Sequence, residues 1–345
     1  SNFTAELGRS SGAQVTMVTR SGTNEIHGNA FEYYQTPRFN AKSYTGNINN
    51  LPKDQFVQHI FGGSLGGPII KNKLFYFANL QMLRAYDTAL VTRTVYTQSV
   101  RDGIYRYVVG RANAPNGSAT AAVDASGNAT LPACSATVTT LCIATYNIAN
   151  NPAGISRDTT LMGVLNAQPL PNNFNTGDGL NTAGFNFASP QHEKQYDFVT
   201  KVDYALNERN NIYVRYAQGA QNSYGDSANG GRPVFPNSPN LVDTFRDPKN
   251  LAVNYRWNPT PRIVNEFVLG LNRFAFSFDT PQPDPAANYS FINVATANTN
   301  FISNARKLNT WQFVDNVTFD FAPHIFKTGL NFRFNRHIDD RSSVA

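Results

Sequence analysis

The chain has 345 residues and is 41% hydrophobic with a mean hydropathy of −0.37, which leaves room for two soluble domains or one large β structure. No apolar run approaches the roughly 18 residues that a membrane helix needs, which excludes helical spans but not strands whose alternate residues face lipid. Aromatics reach 12% while charged residues stop at 15%, against about 25% in soluble domains, and the net charge of +6 contains no Lys/Arg block of the kind that would point to nucleic acid.

Residues 1 to 26 hold one β-rich stretch, Gln14 to Thr19, between two glycine-bearing turns, and residue 1 opens on Ser-Asn-Phe-Thr without a signal peptide. On either side of this stretch stand Ala5-Glu6-Leu7-Gly8-Arg9-Ser10-Ser11-Gly12-Ala13, then Thr19-Arg20-Ser21-Gly22-Thr23-Asn24 and His27-Gly28. Further on come Phe61-Gly62-Gly63-Ser64-Leu65-Gly66-Gly67-Pro68-Ile69 and, after a Lys71-Asn72-Lys73 turn, Leu74-Phe75-Tyr76-Phe77. These phrases resemble the end of the plug and the first barrel strands of TonB-dependent outer-membrane receptors of the Oar-like group.

The resemblance implies an all-β fold: an antiparallel transmembrane β-barrel of 22 strands, of which this chain would supply about nine. Residues 1–26 would be the end of the plug domain and 27–345 the first part of the barrel. The location would be the cell outer membrane. Partners would be outer-membrane lipid, an unidentified bulky substrate, and a TonB-type energising protein acting through a segment upstream of residue 1.

Strand-like segments fall at 27–36, 55–69, 73–88, 195–207, 211–221, 249–260, 263–278, 306–321 and 325–340. The connections alternate between short and long, as in barrels with tight periplasmic turns and long external loops. The ninth strand would end at the external side, at Ser342-Ser343-Val344-Ala345. An odd number of strands leaves the first and ninth with unpaired edges, so the reading expects an incomplete piece of a larger receptor.

The 89–194 segment is far longer than the ~12–15 residues at which a structureless loop becomes suspect, so it is read as a structured external loop. Both cysteines, Cys134 and Cys142, lie in it; with no His or second Cys pair nearby, an exported loop disulfide is expected rather than a metal site. Ser156 to Asn166 reads as a short N-capped helix stopped before Pro169. Asn172 to Asn181 is rich in turn formers whose oxygens are of the kind calcium takes. An Asx-stabilised turn without metal is the simpler reading, because EF-hand spacing and a terminal Glu are missing.

The hairpin from Gln195 to Gln218 sets the facing pattern. Tyr196, Phe198 and Val202 alternate with Asp197, Lys201 and Asp203, and Asn207-Glu208-Arg209-Asn210 turns the chain into Ile212, Val214 and Tyr216. Applied along the chain, this pattern points Asp197, Lys201, Asp203, Arg215, Arg256, Glu266, Lys327 and Arg333 into the lumen. Tyr196, Phe198, Val202, Val214, Val253, Tyr255, Leu269, Leu330 and Phe332 would face lipid, since Arg or Lys at mid-membrane costs about 2–4 kcal/mol. Trp257, Phe319, Phe321 and Phe326 beside the short turns suit an aromatic interface belt. Asp315 breaks the apolar face, and the phase slips from Arg273 to Phe278, where a bulge or an exit from the membrane is expected.

Enzymatic chemistry finds no support in these residues. Gly62-Gly63-Ser64-Leu65-Gly66 has the letters of a nucleophile elbow but is followed by Pro68 and another hairpin rather than a helix, so close backbone approach is the better reason for the glycines. They also lack the Gly-Lys-Ser/Thr end of a phosphate loop. His27, His59, His192, His324 and His337 have no zinc-ligand spacing. The resemblance implies a transporter that imports or exports a bulky substrate through the plugged barrel, and neither enzymatic activity nor a cofactor is expected. The alternatives are a structural or adhesive protein anchored by the same barrel, and a secreted β-sandwich carbohydrate-binding module.

Overall fold

The computed structural model describes residues 18–42, 44, 53, 55–154, 156–280, 289–296 and 303–341. The strands are, in chain order, β1 (His27–Gln35), β2 (Gln55–Ile70), β3 (Leu74–Tyr96), β4 (Ile104–Val108), β5 (Ile143–Asn147) and β6 (Thr182–Asn207). They continue with β7 (Asn210–Tyr224), β8 (Asp243–Thr260), β9 (Ile263–Asp279), β10 (Asn304–Phe321) and β11 (His324–Arg341). Nine of them form one antiparallel sheet in the order β1-β2-β3-β6-β7-β8-β9-β10-β11; the sheet is open, with β1 and β11 at its edges.

Each hairpin exists because two alternating segments are joined by a turn too short for any other pairing. Between β2 and β3, Asn72 takes up a left-handed φ of 60°, a conformation that Asn tolerates, and Lys73 N donates to Ile70 O at 3.1 Å. The other short turns lie between β6 and β7, β8 and β9, and β10 and β11, at the same end of the sheet. The long connections gather at the opposite end, which is the external end of a barrel of this kind.

Two strands run well past the sequence-predicted limits. β3 continues to Tyr96 and β6 begins at Thr182, and the two stay paired from Leu74↔Tyr204 to Tyr96↔Thr182. The Val91-Thr92-Arg93-Thr94-Val95-Tyr96 segment is β-branched and aromatic, which favours continuation of the pleat. At 23 and 26 residues these strands far exceed the ~9–11 that cross a bilayer, so their upper halves project outward. The long connection is thereby shortened to 97–181.

That connection is a small folded unit. Val108, Ala122, Val123, Ile143 and Leu180 form its core, with Leu131 and Phe174 packed against it. Helix α1 (Gln98–Arg101) lies beside β4 of the β4–β5 pair, and helix α2 (Thr159–Ala167) lies against α1. Asp158 caps α2, accepting from Thr160 N and Leu161 N through its side chain. Cys134 and Cys142 are joined as a disulfide, with Cα atoms 4.9 Å apart. Arg101 is buried and spends its guanidinium on the carbonyls of Gln168 (2.8 Å) and Pro169 (2.6 Å).

The expected bulge between Arg273 and Phe278 is absent. β9 pairs without a register shift through these residues with both β8 and β10. What changes is the chemistry of the two faces. Beyond Asn272 the aromatics Phe274, Phe276 and Phe278 occupy the face that carries charge lower down, while Arg273 occupies the apolar one. A strand that leaves hydrocarbon needs no bulge to reverse its polarity.

Candidate functional site

The registers divide the main sheet into two faces. Cross-strand pairs Phe77↔Lys201, Lys201↔Arg215, Arg215↔Ala252, Ala252↔Gly270, Gly270↔Gln312 and Gln312↔Arg333 run along one of them. By the two-residue period, Asp197, Lys201, Asp203, Arg215, Arg256, Glu266, Lys327 and Arg333 all lie on this face. Tyr196, Phe198, Val202, Val214, Val253, Tyr255, Leu269, Leu330 and Phe332 all lie on the other.

The face with the charges, here termed the inner face, is the one that the N-terminal segment crosses. Lys201 Nζ and Ser21 Oγ are 2.7 Å apart. Gly22 rests on the backbone so closely that a Cβ there would stand 2.3 Å from Tyr76 O and 2.6 Å from Gly67 O, and Gly66 faces it. Asn24 fastens the same segment to the β2–β3 turn, its side chain bonding both Asn72 Oδ1 (2.6 Å) and Asn72 N (2.7 Å). Of the glycines in the Gly62–Gly66 stretch, Gly66 thus borders this backbone crossing, while Gly62 and Gly63 lie close against the neighbouring strands at Leu80 and Asn29. Of the Gln14–Thr19 strand, Gln14 to Met17 lie outside the described residues.

Charges on the inner face are held by neighbours rather than by water alone. Lys201 and Arg215 sit directly opposite, an unfavourable pairing of like charges. Lys201 is offset by Asp203 Oδ1 at 3.0 Å and by the Tyr213 ring at 4.6 Å, and Arg215 donates to Asn250 Oδ1 at 2.9 Å. Asn254 donates to Glu266 Oε1 at 2.7 Å, and Gln195 to Asp197 Oδ2 at 2.7 Å. Asp203 Oδ2 and Arg215 Nε are buried yet bond no described residue, so this face has polar capacity left over. Arg256 stands opposite Glu266, Lys327 opposite Thr318, and Arg333 Nη2 lies 3.5 Å from Gln312 Oε1.

The outer face is apolar and exposed. Phe61, Leu80, Val202, Val214, Phe267 and Phe313 each show more than a third of their surface. Near the short turns Trp257, Phe321 and Phe326 project from it, and Phe319 stacks on Phe321 with ring centres 6.1 Å apart. Asp315, the polar exception, accepts from Asn265 Nδ2 at 2.6 Å, so the two form one local pair.

At the external end the inner face opens into a mouth. A cavity of about 480 Å³ lies between the chain after β1, with Lys42, and the inner-face residues Asp87 and Glu193. The connection between β7 and β8 folds over the same end: Arg232 pairs with Asp87 and donates to Ser189 O, while Val234 and Phe235 pack on Val95. Ala295 N donates to Thr94 O at 2.8 Å, capping the part of β3 that β2 does not reach.

Two carboxylates organise these external segments. Burial alone would raise the pKa of Asp178, but N–H groups of Thr182 and Asn181 and the amides of Asn113 and Asn181 outweigh it and hold the carboxyl below its ordinary range. Asp178 Oδ1 accepts from Leu180, Asn181 and Thr182 N, the pattern of an Asx turn. Asp226 behaves alike. Burial pushes it up, and Thr244, Asn229 and the N–H of Ala228 together bring it below the ordinary value. The Asx turn read over Asn172–Asn181 contains Asp178, whereas nothing in the sequence singles out Asp226; Asn113 and Thr244, distant in the chain, complete the two sites.

Comparison with known proteins agrees with this geometry. Residues 18–345 match the family model described as the outer membrane beta barrel domain. The TonB-dependent transporter Oar of Myxococcus xanthus is 38% identical to this chain over 80 residues, which is 22% of this chain and 8% of that protein. A match over nearly the whole chain, on a sheet with one apolar face and short turns at one end, means that the chain belongs to the outer membrane beta barrel domain family and resides in the outer membrane.

Proposed function

We propose that this chain forms part of a TonB-dependent receptor, in which an N-terminal plug lies inside the barrel and is displaced when an energising partner pulls on it. The reading is carried by the seat of residues 21–24 on the inner face: Ser21 against Lys201, Gly22 against the backbone of Gly67 and Tyr76, and Asn24 at the Asn72 turn. The similarity to a protein named as a TonB-dependent transporter supports it. Polar contacts of this kind suit a segment that must both hold and release. Each net hydrogen bond contributes only about 0.5–1.5 kcal/mol, so a pull can break them in sequence.

In this reading a bulky solute first meets the mixed-charge mouth formed by Lys42, Asp87 and Glu193, then the charged inner face. The test is the accessibility of a Ser21→Cys variant of the full-length protein in living cells. Labelling by a water-soluble maleimide should rise several-fold when the inner membrane is energised and fall when a protonophore is added. Labelling indifferent to energisation would contradict the proposal and favour a barrel that serves as a static surface anchor.

A further inference from the structure

The outer face carries a second feature that neither substrate passage nor the plug uses. One cross-strand row on that face reads Tyr216, Leu251, Leu271, Trp311, Phe334. The next row outward reads Gln218, Lys249, Arg273, Asn309, Arg336, and Lys307 follows one step beyond. Between these rows is a shallow cavity of about 410 Å³, walled by Leu251, Leu271 and Trp311 on the apolar side and by Lys249, Arg273 and Arg336 on the charged side.

Charge and depth both indicate an occupant. Asp247 is the carboxylate that neutralises part of the cluster, 3.3 Å from Lys249 Nζ and 3.9 Å from Arg273 Nη2. The side chains of Lys307 and Arg336 make no ion pair or hydrogen bond among the described residues, so the cluster retains excess positive charge. Arg273 lies ten residues from Ile263, and Arg336 twelve from His324. At ~3.4 Å per residue and a tilt of ~40°, that is about 26–31 Å above the short turns, at the outer limit of an apolar band ~25 Å tall. Acyl chains would meet the row with Trp311 and Leu271, and headgroups the row with Arg273.

We infer that Lys249, Arg273 and Arg336, with Lys307, form a binding site on the outside of the barrel for a phosphorylated lipid headgroup of the outer leaflet. Guanidinium groups suit phosphate because their N–H forks can bond two oxygens at once. Asp247 holds Lys249 and Arg273 in position. The inference rests on the outer face meeting lipid, not on transport.

The experiment uses full-length protein in nanodiscs and native mass spectrometry, with diphosphorylated lipid A as the probe. Wild-type protein should retain lipid A through delipidation. A triple variant, Lys249→Gln, Arg273→Gln and Arg336→Gln, should retain at least tenfold less, and added salt should weaken retention in the wild type. Heat-modifiable migration on gels checks that the variant folds; if it does not, the single variant Arg336→Gln should still lose about threefold. Equal retention by a folded variant would overturn the site, as would equal retention of dephosphorylated lipid A. Competition by inorganic phosphate at its own millimolar concentration would mean a small-anion site and overturn the lipid assignment.

Discussion

Asp178 and Asp226 show how single side chains hold the external segments against the sheet. Each carboxyl is held below its ordinary pKa, so each contributes stability that is fully present above about pH 4, the unfolded value, and is lost as pH falls through the lower folded value. Hydrogen exchange at the amides of Leu180, Asn181 and Thr182, corrected for intrinsic rates, should therefore accelerate only as pH falls below about 4. Asp178→Ala removes an ionised acceptor of several N–H donors and should cost the 97–181 unit about 1.5–3 kcal/mol, read as faster cleavage of that unit by protease while the barrel stays intact. Gly22 plays a comparable part for the N-terminal segment. In Gly22→Val the new side chain has backbone oxygen in its way, so a Cys at position 21 should become several-fold more reactive than in the parent.

Strands were legible where two-residue alternation and turn chemistry coincide, and less so where they part. The Gln195–Gln218 hairpin satisfies both, and its register places Lys201 and Val202 on opposite faces. The upper parts of β3 and β6 escaped notice because outside hydrocarbon the faces no longer need to alternate, and Arg93 faces Phe185 across the pair. Helix α2 was readable from Asp158 and its N-cap position, whereas the β4–β5 pair was not, since its order comes from Leu180 and Phe174 far along the chain. The seat of Ser21 on Lys201, 180 residues away, leaves no local signal at all.

Neighbouring residues on one strand allow a direct test at the scale of the element. Val253 faces outward and Ala252 inward, at nearly the same depth. Val253→Lys should destabilise the folded barrel by about 2–4 kcal/mol in urea titrations from vesicles, and Ala252→Lys by clearly less. The Cys134–Cys142 link closes a short ring, so reduction should loosen the 97–181 unit by less than the ~3 kcal/mol of a 15-residue closure and leave the barrel's unfolding unchanged.

At the scale of the whole molecule, one sheet separates two chemistries by face: apolar side chains on one, charges and the N-terminal segment on the other, with a folded cap of connections at one end. The cap grows from the projecting ends of β3 and β6, and the Arg232–Asp87 pair and the Val95 cluster draw neighbouring connections over the mouth. The same sorting explains why polarity reverses beyond Asn272 without a bulge, and why cations gather on the outer face only at its upper limit. All of this depends on which face meets hydrocarbon. The most direct measurement is a scan of single Cys variants from residue 196 to 203 and from 250 to 257 in reconstituted full-length protein, each labelled with a fluorophore and exposed to brominated lipid. Quenching should alternate along both strands, strong at Tyr196, Phe198, Val202, Val253 and Tyr255 and weak at Asp197, Lys201, Asp203, Ala252 and Asn254. Quenching without a two-residue period, or strongest at the charged positions, would contradict the account.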